Sequence, residues 1–343
     1  MKALVKVGFG EDTVKYMDIP KPEVRPGWLV VKVAYVGICG SDLHLYKDEY
    51  NADPPVVMGH EWCGTVEEVG EGVTDFKVGD RIVSMQNIHT CETCYLCRDG
   101  HPMLCADKRS LGFFENGAMA EYIAIPAKIA FHIPDTLELL DAVVTEPLAC
   151  SVKSAIEFSK VIPGDYVFVS GPGTMGIMCA QLALACGARV MMSGTSADEA
   201  RLNDALKIGV HEVVMCDKED VEEKARIFTR GEGFDVVMEC AGAAPSAATC
   251  MKVCKKRGRY NQVGIFAKAI TIDLNMMFNK ELQYSASYSQ RHSSWSRALR
   301  ILDQKVIDIK PIISEPIPLS EWKRGFDMAF NKEALKVIFD PSK

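Results

Sequence analysis

The 343-residue sequence contains no uninterrupted apolar run of about 18 residues, the length a membrane-spanning helix needs, so no membrane span is expected. Its first residues lack the charged-then-apolar pattern of a secretory leader; export is not expected, and a cytoplasmic location is the default. A basic stripe is also missing. The 39 Lys and Arg stand against 46 Asp and Glu, giving a net charge of −7 and a pI near 5.6, which excludes phosphate neutralisation on the scale a nucleic-acid partner requires. Clusters such as residues 252–259 read as solvated faces. What remains is an ordinary globular composition, 48% hydrophobic and 25% charged, at a length that predicts two domains.

Cysteine, by contrast, is plentiful. Thirteen is an odd count, and in a reducing compartment clustered cysteines point to metal rather than to a disulfide framework. Cys91, Cys94, Cys97 and Cys105 follow one another with two, two and seven residues between them, and Gly100 and Pro102 let the chain fold back. Four thiolates so spaced close a tetrahedral shell around zinc with no vacant position, the arrangement of a structural site. An iron–sulfur cluster accepts a related pattern, but the spacing fits neither ferredoxin run. The neighbouring His89 and His101 read as surface loop residues, and the eight cysteines that are neither here nor at position 39 as small buried hydrophobes.

A second constellation lies between Gly37 and Glu61. Cys39, His60 and Glu61 are a thiolate, an imidazole and a carboxylate, the side chains a catalytic zinc accepts, and the gap from Cys39 to His60 is too long for a zinc-finger hairpin. The fold must bring them together, leaving an open position for water or substrate. Glu146, set before Pro147 in an apolar stretch, is expected to face a cation, because a buried carboxylate without a partner is costly.

Around these sites the first half alternates apolar and polar residues (residues 2–7, 29–34, 64–70 and 78–84) between Pro and Gly turns, which predicts short strands in a partly closed barrel. The middle changes rhythm. The apolar strand 166–170 runs into Gly171-Pro172-Gly173-Thr174-Met175-Gly176 and then an apolar helix, the context in which a G-x-G-x-x-G turn lays a pyrophosphate on a helix N-terminus. Further strands at 189–192, 213–215, 235–240 and 258–263 predict a doubly wound parallel sheet. No carboxylate ends the second strand. Ser193, Gly194, Thr195 and Ser196 stand there instead, with Arg201 beyond, and this leans the reading to NADP; NAD remains open if Asp198 or a backbone amide serves the ribose. Strand-like 282–288, a helix near Trp295–Leu302 and a closing strand at 334–339 are expected to return to the first domain.

With two metal constellations and a nucleotide turn in this order, the sequence resembles the zinc-dependent medium-chain dehydrogenase/reductase family over its whole length. The Glu146-to-Ala149 segment and the stretch from Ser287 to Trp295 resemble its polyol dehydrogenase branch, which handles sorbitol, arabitol phosphate and galactitol 1-phosphate. The resemblance implies an α/β fold: a GroES-like catalytic domain over 1–150 with the zinc lobe at 89–106, a Rossmann domain over 151–283, and a return over 284–343. It implies one catalytic zinc on Cys39, His60 and Glu61 or Glu146, one structural zinc on Cys91, Cys94, Cys97 and Cys105, and an Asp42 that orients His60. Ser41 and His44 would pass the substrate proton to water. Gly171, Gly173, Met175, Gly176, Gly194, Thr195, Ser196, Arg201, Val263 and Ser287 would contact NAD or NADP, and Phe113, Arg291 and His292 the substrate. A polyol or polyol-phosphate substrate and a homodimer or homotetramer follow from the same resemblance. Two departures stand out: Gly194 replaces the aspartate of many NAD-dependent members, and Arg291-His292 precedes Trp295 at an unusual offset. Threonine and butanediol dehydrogenases are near relatives, while a zinc-free reductase has no use for Cys39, His60 and Glu146 together.

Overall fold

The alternating stretch near residue 30 forms the longest strand of the chain, Trp28–Gly37, and the first unit is built outward from it. The chain, all 343 residues of which the computed structural model describes, divides into one unit of Met1–Glu146, Gln290–Gln304 and Ile309–Lys343 and another of Pro147–Ser289 with Lys305–Asp308. In the first unit Trp28–Gly37 pairs antiparallel with Glu61–Val69, with Tyr122–Pro126 over its first half, and with Ile338–Asp340 at its end. Register shifts at Val30/Val31 and Val33/Tyr35 mark irregularities that bend the strand as it changes neighbours, the device by which a sheet curls toward closure. Arg81–Ser84, Ala130–His132 and Ile317–Pro318 complete this sheet, and a smaller one holds Val14–Asp18, Lys2–Lys6 and Val56–Val57.

The second unit carries six parallel strands in the spatial order Glu212–Met215, Arg189–Gly194, Tyr166–Ser170, Phe234–Glu239, Cys254–Gln262, Gln283–Ala286. This is the order 3-2-1-4-5-6, which reverses direction between the first and fourth strands and opens a ligand crevice at their carboxyl ends. Val167, Phe168 and Val169 are fully buried, as a parallel strand covered on both faces requires. Phe168 and Phe234 meet at 5.2 Å in a core that also takes in Met191, Val214 and Val237.

Four expectations are revised. Val78–Asp80 is a turn before the strand rather than part of it, and the closing strand is only Ile338–Asp340. The boundary expected at 283/284 lies at Ser289/Gln290, because Gln283–Ala286 is held by Cys254–Gln262 as the sixth parallel strand. Pro147–Cys150 likewise falls in the second unit. No helix is long and apolar enough to cross a membrane.

Candidate functional site

Strand register assembles the first constellation. Gly37 sits opposite both Glu61 and Ile338, so the chain enters Cys39 beside Glu61 and brings Lys336, two residues before Ile338, onto the same patch. Gly37 leaves room for both side chains: a Cβ there would lie 2.9 Å from Glu61 Oε2 and 3.1 Å from Lys336 Cδ and would push them aside. Cys39 caps the helix Gly40–Tyr46, and its backbone N–H donates to Asp42 Oδ2 at 2.8 Å, which locks the first turn and buries Asp42 completely. Asp42 Oδ1 faces His60 Nδ1 at 3.6 Å, and the opposite side of the ring packs on Phe113, centroids 5.3 Å apart. The donor atoms of Cys39, His60 and Glu61 all lie within 4.8 Å of one another.

The set is built for a cation. Burial opposes charge on His60, yet Asp42 and then Cys39 outweigh it and hold the imidazole pKa well above its usual value, so the pocket favours positive charge at this point. Asp42 Oδ1, His60 Nδ1 and Glu61 Oε2 are buried without an aligned hydrogen bond. Lys336, missed in the sequence, donates to Glu61 Oε1 at 2.7 Å and to the Ile38 carbonyl at 3.0 Å, and its Nζ lies 2.6 Å from Oε2, off hydrogen-bond alignment. Glu146, in the first turn of the helix Thr145–Val152, stands outside the ligand-distance set but accepts a hydrogen bond from Gln290. Burial pushes its pKa up to about 7; Glu61 adds to the rise, and His60, Lys336 and Gln290 oppose it. A thiolate, an imidazole and a carboxylate with a further buried carboxyl nearby suit zinc.

The four-cysteine lobe closes on itself. Its sulfurs all lie within 4.8 Å of one another, Cys91 Sγ standing 3.9 Å from Cys97 Sγ and 3.5 Å from Cys105 Sγ. A tetrahedron with zinc–sulfur arms of about 2.3 Å has edges of about 3.8 Å, so the shell fits one zinc ion, whereas thiolates on the separate irons of a cluster stand further apart. The Cys94 N–H donates to Cys91 Sγ at 3.3 Å and, with Thr93, pulls that thiol down to about 6, favouring the thiolate a metal binds.

The other predicted residues are distributed more widely. Ser41 is half-buried on the helix Gly40–Tyr46; His44, one turn on, is exposed and sets Nδ1 2.7 Å from Glu49. Phe113 is 4% exposed and wedged between His60 and Tyr50, so it forms a wall beside His60. Arg291 is the half-buried cap of the helix His292–Asp303, and the exposed His292 packs on Phe131 at 4.6 Å. In the second unit Gly171 turns with φ +104°, and a Cβ on Gly176 would meet the Gly171 carbonyl at 1.9 Å, so the helix Thr174–Ala185 seats its N-terminus directly on the turn. Gly173 caps that helix and Met175 lies in its first turn, where Ser151 Oγ reaches its sulfur at 3.7 Å. The backbone N–H of Val263 donates to the Glu239 carbonyl and that of Ser287 to the Gln262 carbonyl, placing both at strand carboxyl ends. The lean to NADP rested on a tip without carboxylates; the structure brings two there, since Asp198 accepts from Thr195 and Asp217 from Ser196. Arg201 is half-buried, and burial lowers its pKa against the field of Asp198.

Comparison with known proteins follows the same division. A family model described as the alcohol dehydrogenase GroES-like domain matches residues 25–135, and one described as zinc-binding dehydrogenase matches residues 174–304. The chain is 36% identical to sorbitol dehydrogenase of Halalkalibacterium halodurans, covering 99% of each chain, and 35% identical to D-arabitol-phosphate dehydrogenase of Enterococcus avium, covering 99% of this chain and 97% of that one. Its fold is similar to a zinc-binding dehydrogenase of Sinorhizobium meliloti solved bound to NADP, with a TM-score of 0.92, 31% identity and 99% of each chain covered. The chain belongs to the zinc-dependent medium-chain dehydrogenase/reductase family, on its polyol dehydrogenase branch.

Proposed function

We propose that the protein oxidises a secondary alcohol of a polyol or polyol phosphate to the ketose or ketose phosphate, passing the hydride to a nicotinamide dinucleotide. The observation that carries this reading is the convergence of the half-buried Cys39 with the buried His60 and Glu61 on a chain that also holds a nucleotide turn. Cys39, His60 and Glu61 would hold zinc, which would supply Lewis-acid polarisation of a substrate hydroxyl, and the glycine turn would hold the nicotinamide dinucleotide that would supply the hydride acceptor.

The chain's own groups do the rest. Asp42 fixes the orientation of His60 from the Nδ1 side, leaving Nε2 for the metal. Lys336 matches the charge of Glu61 and limits how freely that carboxylate swings; the neutral Gln290 amide donates to Glu146, the second carboxyl able to complete the shell, and limits its swing without matching its charge. Ser41 and His44 lie three residues apart on one helix, hence on one face. Ser41 takes the hydroxyl proton and His44 hands it to water: Glu49 fixes a proton on Nδ1, so Nε2 is the exchanging atom. Arg291 and His292 are the proposed substrate contacts, and the four-thiolate lobe is structural. Homodimers or homotetramers are proposed on family resemblance.

The test is nicotinamide absorbance on zinc-loaded protein against a panel of polyols and polyol phosphates, each with NAD and NADP. Turnover of a polyol or its phosphate supports the reading. Silence across the panel with zinc bound would refute it and favour threonine-like amino alcohols or diols.

A further inference from the structure

The carboxyl end of the second parallel strand is where a Rossmann unit ordinarily places the acid that accepts from the adenosine ribose. Here that position is Gly194, and it is sterically closed: a Cβ would stand 2.9 Å from Pro172 Cγ and 3.0 Å from Pro172 Cδ, closer than non-bonded carbons pack. The proline inside the glycine turn and the glycine at the strand tip are a matched pair, so an acid at this tip would have to displace the Pro172 ring.

The acid comes from the next strand. Gly194 pairs with Met215 in the parallel register, and the Cys216 N–H donates to the Gly194 carbonyl at 2.8 Å, which delivers Asp217 beside the tip. Asp217 Oδ1 accepts from the Ser196 N–H at 2.7 Å and Oδ2 from the Ser196 hydroxyl at 2.5 Å. Asp198 Oδ2 accepts from the Thr195 N–H at 3.1 Å and from its hydroxyl at 2.8 Å. All four donors of Thr195 and Ser196, those a 2′-phosphate would use, are therefore committed to carboxylates. What the loop offers outward is the acceptor capacity of Asp217, whose two oxygens each accept one hydrogen bond from Ser196 and keep a further lone pair. Ribose hydroxyls donate to acceptors, whereas a 2′-phosphate brings charge of the same sign and needs donors. Arg201, the basic residue at hand, is half-buried in the field of Asp198, and Lys218 adjoins Asp217.

We infer that Asp217, supplied by the neighbouring strand in place of a strand-tip acid, is the residue that selects NAD over NADP in this protein. The inference rests on the dehydrogenase reading above. It is tested by calorimetric titration of the zinc-loaded, full-length protein with NAD and with NADP, in the native sequence and in Asp217→Asn. Native protein is expected to bind NAD at least about tenfold more tightly than NADP, and the variant to weaken NAD, strengthen NADP and shrink that ratio by about tenfold, the scale of one charge-assisted hydrogen bond. Equal or tighter binding of NADP by the native protein would overturn the inference while leaving the dehydrogenase reading intact, as would a ratio that Asp217→Asn does not move. Failure of both nucleotides to bind would overturn the two together. A native preference for NADP overturns the inference whether or not the variant folds, and Asp217→Ser, which also removes the charge, replaces Asp217→Asn if that variant does not fold.

Discussion

Lys336→Met is the perturbation from which the metal centre has most to reveal. The lysine and Glu61 side chains are 5% and 1% exposed, and the ammonium serves both carboxylate oxygens and the Ile38 carbonyl. Burial alone would lower the Lys336 pKa, but Glu61 and then Cys39 raise it, so the pair is ionised on the lysine side. Methionine keeps the volume and removes the charge, leaving a buried carboxylate without its counter-ion. Breaking such a pair costs about 3–5 kcal/mol. For a unit of this size, at roughly 2–4 °C per kcal/mol, the metal-free variant should melt roughly 6–20 °C below the metal-free parent. Zinc changes the balance, because a cation on Cys39, His60 and Glu61 supplies the charge that Lys336 supplied. The loss should therefore be smaller in zinc-loaded protein, and by linkage Lys336→Met should bind its catalytic zinc at least about tenfold more tightly, a difference of about 1.4 kcal/mol. Thermal unfolding of parent and variant, each with chelator and with zinc, gives both quantities. Equal shifts in the two states would refute the reasoning, since Lys336 and the metal would then not share Glu61.

Other perturbations separate the roles of the remaining groups. Cys39→Ser should abolish turnover and remove one zinc per chain while nucleotide binding, followed by calorimetry, is kept; full activity would contradict the assignment. Cys94→Ser should act on stability, lowering the melting temperature of the zinc-loaded protein, and unchanged unfolding with lost chemistry would exchange the two zinc roles. Ser41→Ala should lower kcat by about 10²–10⁴-fold, the usual worth of positioned proton transfer, with nucleotide affinity unchanged by titration. His44→Gln should reduce kcat less, with recovery in added imidazole, because its exposed ring meets solvent; absence of any effect would remove it from the proton path.

What could be read from the sequence was what is local in the chain. The lobe Cys91–Cys105 closes within one loop, and the turn Gly171–Gly176 joins a strand to its own helix, so spacing alone announces both. Cys39, His60 and Glu61 were legible by residue type, but their meeting depends on Gly37 pairing with Glu61 across two strands. Lys336 was hidden for a physical reason: a single lysine between Leu335 and Val337 looks like the solvent side of an alternating strand, and only the pairing of Gly37 with Ile338, some three hundred residues away in sequence, turns it inward. Gln290 carried no sign that it would donate to Glu146. Asp217 escaped because the expected acid was sought on the strand that follows the glycine turn, whereas parallel pairing of Gly194 with Met215 delivers it from the next. Phe113, expected at the substrate, lies against His60 and Tyr50, which puts it beside the candidate metal ligands.

The central claim is that chemistry runs on zinc at Cys39, His60 and Glu61. The most direct measurement compares nicotinamide reduction by one preparation in three states: as purified, after mild chelation that removes one zinc per chain, and after that zinc is restored, with metal content read in each. The account predicts polyol-dependent absorbance that vanishes with the first zinc and returns with it. Undiminished turnover in protein that has lost the zinc of Cys39, His60 and Glu61 would contradict it.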